Sequence, residues 1–298
     1  MLNKLLTEQA YAASARIGEL STVEMLAVMN AADAGIAAAV EREIPRIAAA
    51  VDAIAAKLDL GGHLTYIGAG SSGRLGVLDA AECPPTFNVP PDLVRGIIAG
   101  GEKALSRASE TTEDDPEAGA RDLLASGFGP GDALVGIAAS GRTPYVLGAV
   151  SAARKMGALT AGISCTPDSE LSRAVEFPME PKPGPEILTG STRLRAGTAT
   201  KMVLNMISTG VMIRLGYVYG NLMVNVQPTN TKLEDRARRI IEQAAEVSAE
   251  RAAELLEESG RSVRTAIVMA KRGVSREEAE ALLRSAGGRI AEALNIHG

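Results

Sequence analysis

The chain is 298 residues long, carries a formal charge of −5 at pH 7, and contains no tryptophan, three phenylalanines and five tyrosines. An acidic balance excludes sequence-independent nucleic-acid binding, which needs a basic face. Cys83 and Cys165 have neither a pairing framework nor metal-ligand spacing, which implies a reducing compartment. No apolar run is read as approaching the roughly 20 residues of a membrane span, and residues 1–20 lack a signal-peptide apolar segment, so a cytoplasmic protein with no membrane partner is expected.

From Thr22 to Leu60 apolar residues recur at three and four (Met25, Leu26, Met29, then Ile44, Ile47, Ala50, Val51, Ile54), with Ser21 or Thr22 and Glu24 as a helix start. After Gly61-Gly62, strands are predicted at His63–Ile67, Val94–Ala99, Ala133–Ala139, Thr160–Cys165 and Val175–Met179. Helices are predicted between them, at Leu75–Ala81 and at Pro144–Met156, the latter opened by a proline. The alternation predicts an α/β fold with a doubly wound, parallel five-stranded sheet flanked by helices. A polar loop at Gly184-Pro185-Glu186 precedes a long apolar helix, Ala199–Leu215. From Gly260 three short helices follow, Ser262–Lys271, Ser275–Ser285 and Arg289–Leu294, with Ser275 and Glu278 spaced as a capping box. The expected domains are a helical region packing on the core (1–60), a ligand-binding core (61–240) and a small all-helical C-terminal subdomain (241–298).

Gly68-Ala69-Gly70-Ser71-Ser72-Gly73-Arg74 follows the first strand and matches G-x-G-x-x-G in letters. The dinucleotide reading also wants an acid at the end of the second strand, but that strand ends Ile97-Ile98-Ala99-Gly100. A second Ser-Gly-Arg loop, Ser140-Gly141-Arg142 followed by Thr143, leaves the third strand and opens a helix. One such loop merely turns a chain. Two on successive strands suit a phosphomonoester, held by backbone amides, helix N-termini and hydroxyls. Gly70, Ser71, Ser72, Gly73, Ser140, Gly141, Arg142 and Thr143 are therefore the candidate phosphate-binding residues. Two histidines, His63 and His297, cannot make the usual metal site, and no metal or cofactor is assigned. Cys83 reads as a small buried cysteine and not as a nucleophile. The stripe Met202, Met206, Met212 reads as core or as a dimer seam.

Two such loops on a five-stranded parallel sheet resemble the sugar isomerase (SIS) domain of phosphosugar-binding proteins. The resemblance extends beyond the fold. GAGSSGRLGVLD (Gly68–Asp79), AECPPT (Ala81–Thr86), ASGRTPY (Ala139–Tyr145), GPEILTGSTRLRAGTATK (Gly184–Lys201) and YGNLMVNVQPTN (Tyr219–Asn230) resemble the N-acetylmuramic acid 6-phosphate etherase family over nearly the whole chain. The regulator of mammalian glucokinase shares parts of these motifs. There are departures. After Thr7-Glu8-Gln9 a basic residue, Asn and Pro are expected where Ala10-Tyr11-Ala12 stands, and Arg195 and Thr200 occupy positions expected to be Lys and Gln.

The resemblance implies a lyase-type etherase of amino-sugar catabolism and peptidoglycan recycling. Its substrate partner is a phosphorylated amino sugar, whose D-lactyl ether is eliminated before water adds to the double bond. It also implies Glu82 as the group that protonates lactate and Glu113 as the base for the C2 proton. Read from the residues, Glu82 lies just past the first loop's helix among apolar and proline residues, where a carboxyl pKa tends to rise. Glu113 stands in a charge run (Glu110, Asp114, Asp115, Glu117) that spacing alone reads as solvated surface. Glu186, Ser191 and Thr192 are expected at the sugar hydroxyls or N-acetyl group, with loop capping the alternative for Glu186. The apolar helices beside the sheet imply a homodimer. A phosphosugar isomerase and a non-catalytic sugar-phosphate sensor are the alternative functions.

Overall fold

The computed structural model describes residues 9–107 and 112–296. Thr7, Glu8, Glu110 and His297, named above, lie outside them. The chain divides into two compact units, Met1–Ala81 with Pro91–Gly210, and Glu82–Pro90 with Val211–Gly298.

The first unit begins with two 3-10 turns, Ala12–Ser14 and Ile17–Glu19, and three helices: α1 (Thr22–Asp33), α2 (Ile36–Glu41) and α3 (Ile44–Asp59). The predicted start at Ser21 is a capping box: its hydroxyl accepts the Glu24 amide at 3.4 Å while Glu24 accepts the Ser21 amide at 2.9 Å. The helical region is broken where Ala34-Gly35 and Arg42-Glu43 interrupt it. One expectation is corrected here. Thr22–Glu41 is 20 residues, long and apolar enough by composition to cross a membrane, with an 18-residue window of mean hydropathy 1.5 of which 22% is buried. Alanines such as Ala37, Ala38 and Ala39 add to the hydropathy of its Val, Leu, Ile and Met residues, and they are easily passed over when large aliphatic residues are sought.

The sheet is parallel and five-stranded: β1 (Leu64–Gly68), β2 (Val94–Ile98), β3 (Ala133–Ile137), β4 (Leu159–Ile163) and β5 (Phe177–Met179), in the order β2-β1-β3-β4-β5. Each predicted strand is present within two residues of its expected ends. Every residue of β1, β3 and β4 is buried, as expected of strands covered on both faces. The covering helices are α4 (Gly70–Phe87), α5 (Lys103–Ser106), α6 (Pro116–Ala125), α7 (Pro144–Lys155), α8 (Glu170–Ala174) and α9 (Arg195–Arg214). α3 contributes an apolar stripe of Ile47, Ala50, Val51 and Ile54, and α7 one of Tyr145, Val146, Ala149, Val150 and Ala153. At the other end of the sheet Asp132 accepts the amides of His63 (2.8 Å) and Gly129 (2.8 Å), and burial is outweighed by these bonds, which hold its carboxyl below the usual range.

α4 corrects a second expectation. It runs straight through the AECPPT segment with Pro84 and Pro85 inside it, so Glu82 lies in helix and not in a turn, and it is exposed. Each proline removes one amide donor, but the helix closes after them with the Asn88 amide on the Pro84 carbonyl at 2.8 Å.

The second unit carries α10 (Thr231–Ala245), α11 (Ala249–Glu258), α12 (Val263–Arg272), α13 (Arg276–Ser285) and α14 (Ile290–Asn295) around its own core of Ile240, Ile241, Leu255, Leu256, Ile267 and Leu283. The boundary expected after residue 240 falls inside α10. Ser275 and Glu278 form a capping box, with amide bonds of 3.3 and 2.8 Å.

α6 and α7 meet backbone to backbone. A Cβ on Gly119 would lie 1.8 Å from the Tyr145 carbonyl oxygen, and one on Gly148 would lie 1.9 Å from that of Pro116. Gly148→Ala must therefore push the helices apart. It should destabilise the fold by about 1–3 kcal/mol, read as a lower Tm in calorimetry; an unchanged Tm would contradict the contact.

Candidate functional site

β1 and β3 lie side by side, with Gly68 and Ile137 partnered at their carboxyl ends. From β1 the chain crosses to β2 on one side, and from β3 to β4 on the other. The crevice outside these two strand ends is thus a topological switch point, the place where open α/β sheets hold ligands. Both Ser/Gly loops open into it, one after β1 and one after β3.

The first loop passes directly into α4. The earliest intrahelical bond runs from the Gly73 amide to the Ala69 carbonyl at 3.1 Å, so the amides of Gly70, Ser71 and Ser72 precede the ladder and can serve an anion. Gly73 is required: a Cβ there would lie 2.7 Å from the Gly68 carbonyl oxygen and 2.7 Å from Ile98.

The second loop is built differently. Gly141 has φ +67°, and a Cβ on it would collide with Ser169 at 2.2 Å. The Ser140 hydroxyl accepts the Arg142 amide at 3.4 Å. Thr143 caps α7 without a side-chain bond, and the first amide after Pro144, that of Tyr145, donates to the Glu113 carbonyl at 3.1 Å. The α7 end is therefore partly spent on Glu113, and the loop's offering is chiefly hydroxyl.

Glu113 joins the two loops. While its carbonyl is held by α7, its carboxylate reaches the first loop, with Oε2 4.0 Å from where a Cβ on Gly70 would stand. Within the charge run, Glu113 is half-buried and Asp114 exposed. Asp115 caps α6, accepting the Ala118 amide at 3.0 Å. The run is thus a cap, a solvated acid and an inward-facing carboxylate, not a uniform surface. Tyr145 anchors this corner. Its hydroxyl donates to Asp122 at 2.6 Å, and burial with that carboxylate pushes its pKa up, so it stays a neutral donor.

Glu82 belongs to the second compact unit. The two loop arginines are committed elsewhere. Arg142 pairs with Glu170 at 3.1 Å in an exposed ion pair, and Arg74 donates to the carbonyls of Ala104, Leu105 and Arg107 at 2.6, 3.1 and 3.3 Å. Glu186 is fully buried, and its two oxygens accept the Arg195 and Ala196 amides at 2.8 and 2.9 Å, so it caps α9. Burial raises its pKa although these amides and the Arg195 charge oppose the rise. Ser191 and Thr192 are half-buried in the turn before α9.

Sequence reasoning missed three features. Asp79 on α4 is buried and accepts Asn205 Nδ2 (2.9 Å) and Ser208 Oγ (3.2 Å) from α9, with burial raising its pKa. Two of the departures from the family pattern touch: the Arg195 guanidinium lies over the Tyr11 ring, 5.5 Å from its centroid. The N-terminal arm is pinned nearby by Ser14 Oγ donating to the Ile187 carbonyl at 2.8 Å. No signal short of co-variation could have paired Tyr11 with Arg195. Cys165 is buried, which pushes its thiol up to about 12, and among the described residues no cluster of three metal-ligating side chains occurs.

Residues 46–154 match the glucokinase regulatory protein N-terminal SIS domain. A phosphosugar isomerase candidate involved in capsule formation, from Bacteroides fragilis, shares the fold with a TM-score of 0.51 at 20% identity, covering 65% of this chain and 91% of its own. Over nearly the whole length, the chain is 51% identical to an N-acetylmuramic acid 6-phosphate etherase of Aeromonas hydrophila, covering 98% of each. It is 52% identical to that of Rubrobacter xylanophilus, covering 97% of this chain and 96% of the relative. The chain belongs to the N-acetylmuramic acid 6-phosphate etherase family.

Proposed function

We propose that this protein cleaves the D-lactyl ether of N-acetylmuramic acid 6-phosphate, giving N-acetylglucosamine 6-phosphate and D-lactate. The observation that carries the reading furthest is Glu113, a carboxylate at the mouth of a phosphate-suited loop whose backbone is fastened to the second loop's helix. A phosphate seated on Gly70, Ser71, Ser72 and Gly73, with Ser140, Gly141, Arg142 and Thr143 on its other side, leaves the sugar carbons beside that carboxylate.

An unactivated ether resists hydrolysis, but the open-chain sugar carries an aldehyde at C1 that acidifies the C2 proton. Glu113 takes this proton. The electron pair forms the C2–C3 double bond as the C3–O bond breaks, and the departing lactate oxygen takes a proton from Glu82. Glu82, now a carboxylate, deprotonates water for addition at C3, and C2 recovers a proton from Glu113. Protons balance over the cycle, and both groups act as acid and as base. Glu82 takes its role from the AECPPT motif. Ser191 and Thr192 serve the sugar, while Glu186 acts through the helix end it caps.

The enzyme acts in the cytoplasm, in an amino-sugar step of peptidoglycan recycling; Cys83 and Cys165, both buried and in no disulfide, agree with a reducing compartment. It is a homodimer: Val23, Leu26 and Met206 expose apolar side chains on α1 and α9 that a second copy would cover. Light scattering should give twice the chain mass, and a monomer mass would contradict the dimer. Glu113→Gln and Glu82→Gln should each slow D-lactate release by about 10²–10⁴-fold while sugar-phosphate binding persists. A wild-type protein that releases no lactate from this substrate would refute the assignment and leave the isomerase or sensor functions.

A further inference from the structure

We propose that a groove between the first turns of α4 and α9 is a carboxylate subsite, and that it holds the acid end of the substrate's ether arm. The inference rests on the reaction proposed above. The groove has a volume of about 380 Å³ and is lined by Ser71, Arg74, Leu75, Arg193, Thr198 and Lys201. Three of these are cationic and none is acidic. Ser71, Arg74 and Leu75 share one face of α4 at i, i+3 and i+4, and Thr198 and Lys201 face them from the start of α9. The N-terminal, positive end of α4 adds to the side-chain charge here, whereas that of α9 is already capped by Glu186.

Two observations distinguish this groove from an ordinary basic surface. Its helices are fixed in spacing one turn deeper, where Asp79 of α4 accepts Asn205 and Ser208 of α9 at 2.9 and 3.2 Å. Its cations are also divided in role. Arg74 is tied to three carbonyls, whereas Arg193 and Lys201 are exposed and make no ion pair with any described residue. The Lys201 charge also acts on Asp79, where it opposes the rise that burial causes.

Ser71 belongs to both the phosphate loop and the groove, so a ligand anchored by its phosphate at the loop can extend a second anion toward Arg193 and Lys201. The substrate carries such an anion on its ether arm, and the sugar product does not. The groove therefore selects substrate over product.

The test is titration of the full chain in a Glu113→Gln background, where turnover is slowed, with N-acetylmuramic acid 6-phosphate and N-acetylglucosamine 6-phosphate as probes. Arg193→Gln with Lys201→Gln should weaken the first by about 10- to 100-fold and leave the second within about twofold. Lys201→Glu alone should weaken the first more than Lys201→Gln does. Equal loss for both ligands would make the groove part of the phosphate site, and no loss for either would leave it unoccupied; each result overturns the proposal. The residues are exposed, and an unchanged melting curve verifies the fold of each variant. If the wild type releases no lactate, the reaction falls, while the titration still reports on the groove.

Discussion

Two parallel strands, β1 and β3, pair in register from Leu64 with Ala133 to Gly68 with Ile137, and the chain leaves them in opposite directions. The two Ser/Gly loops and the Glu113 segment depend on that reversal. It opens a crevice at the strand ends, sets two helix-opening loops on either side of it, and leaves room for a third segment to cross between them. The third segment carries Glu113. Its position is bound to the tight approach of α6 and α7 through Gly119 and Gly148, because the cap of α6 at Asp115 and the amide of Tyr145 on α7 fix the backbone on either side of the carboxylate.

The site is consequently asymmetric. The first loop gives amides at a helix end; the second gives hydroxyls, because its helix amide is occupied by Glu113. The arginines that follow each Ser-Gly pair do not have to neutralise phosphate, since Arg74 holds the 104–107 segment and Arg142 pairs with Glu170. Charge for a second anion comes instead from Arg193 and Lys201 at the α9 end. An aromatic-poor protein can serve a phosphorylated sugar this way, since phosphate is gripped by dipoles and hydroxyls, with no need of ring platforms.

Much of this was legible in the amino-acid sequence. Strand positions followed from short apolar runs closed by Gly and Ser, and so did the two Ser/Gly loops that open helices, because both features are local. What was hidden required knowledge of neighbours distant in sequence. Glu82 read as lying just past a helix that ends at Ala81, yet α4 continues through Pro84 and Pro85 and carries it in helix. Glu113 was indistinguishable by spacing from its solvated neighbours, since its inward aim depends on a bond from Tyr145, 32 positions away. Glu186 sits by its buried side chain under α9, whose start the pattern placed four residues late. The contact of Arg195 with Tyr11 turned two apparent departures into one compensated pair.

The central claim is that Glu113 removes the C2 proton before the ether bond breaks. The most direct measurement is the reaction run in deuterated water, with the sugar product examined at C2 by mass spectrometry and NMR. The elimination and addition sequence predicts one solvent deuterium at C2, delivered when Glu113 returns a proton from solvent-exchanged stock. A product bearing its original C2 hydrogen throughout, with lactate still released, would contradict the account.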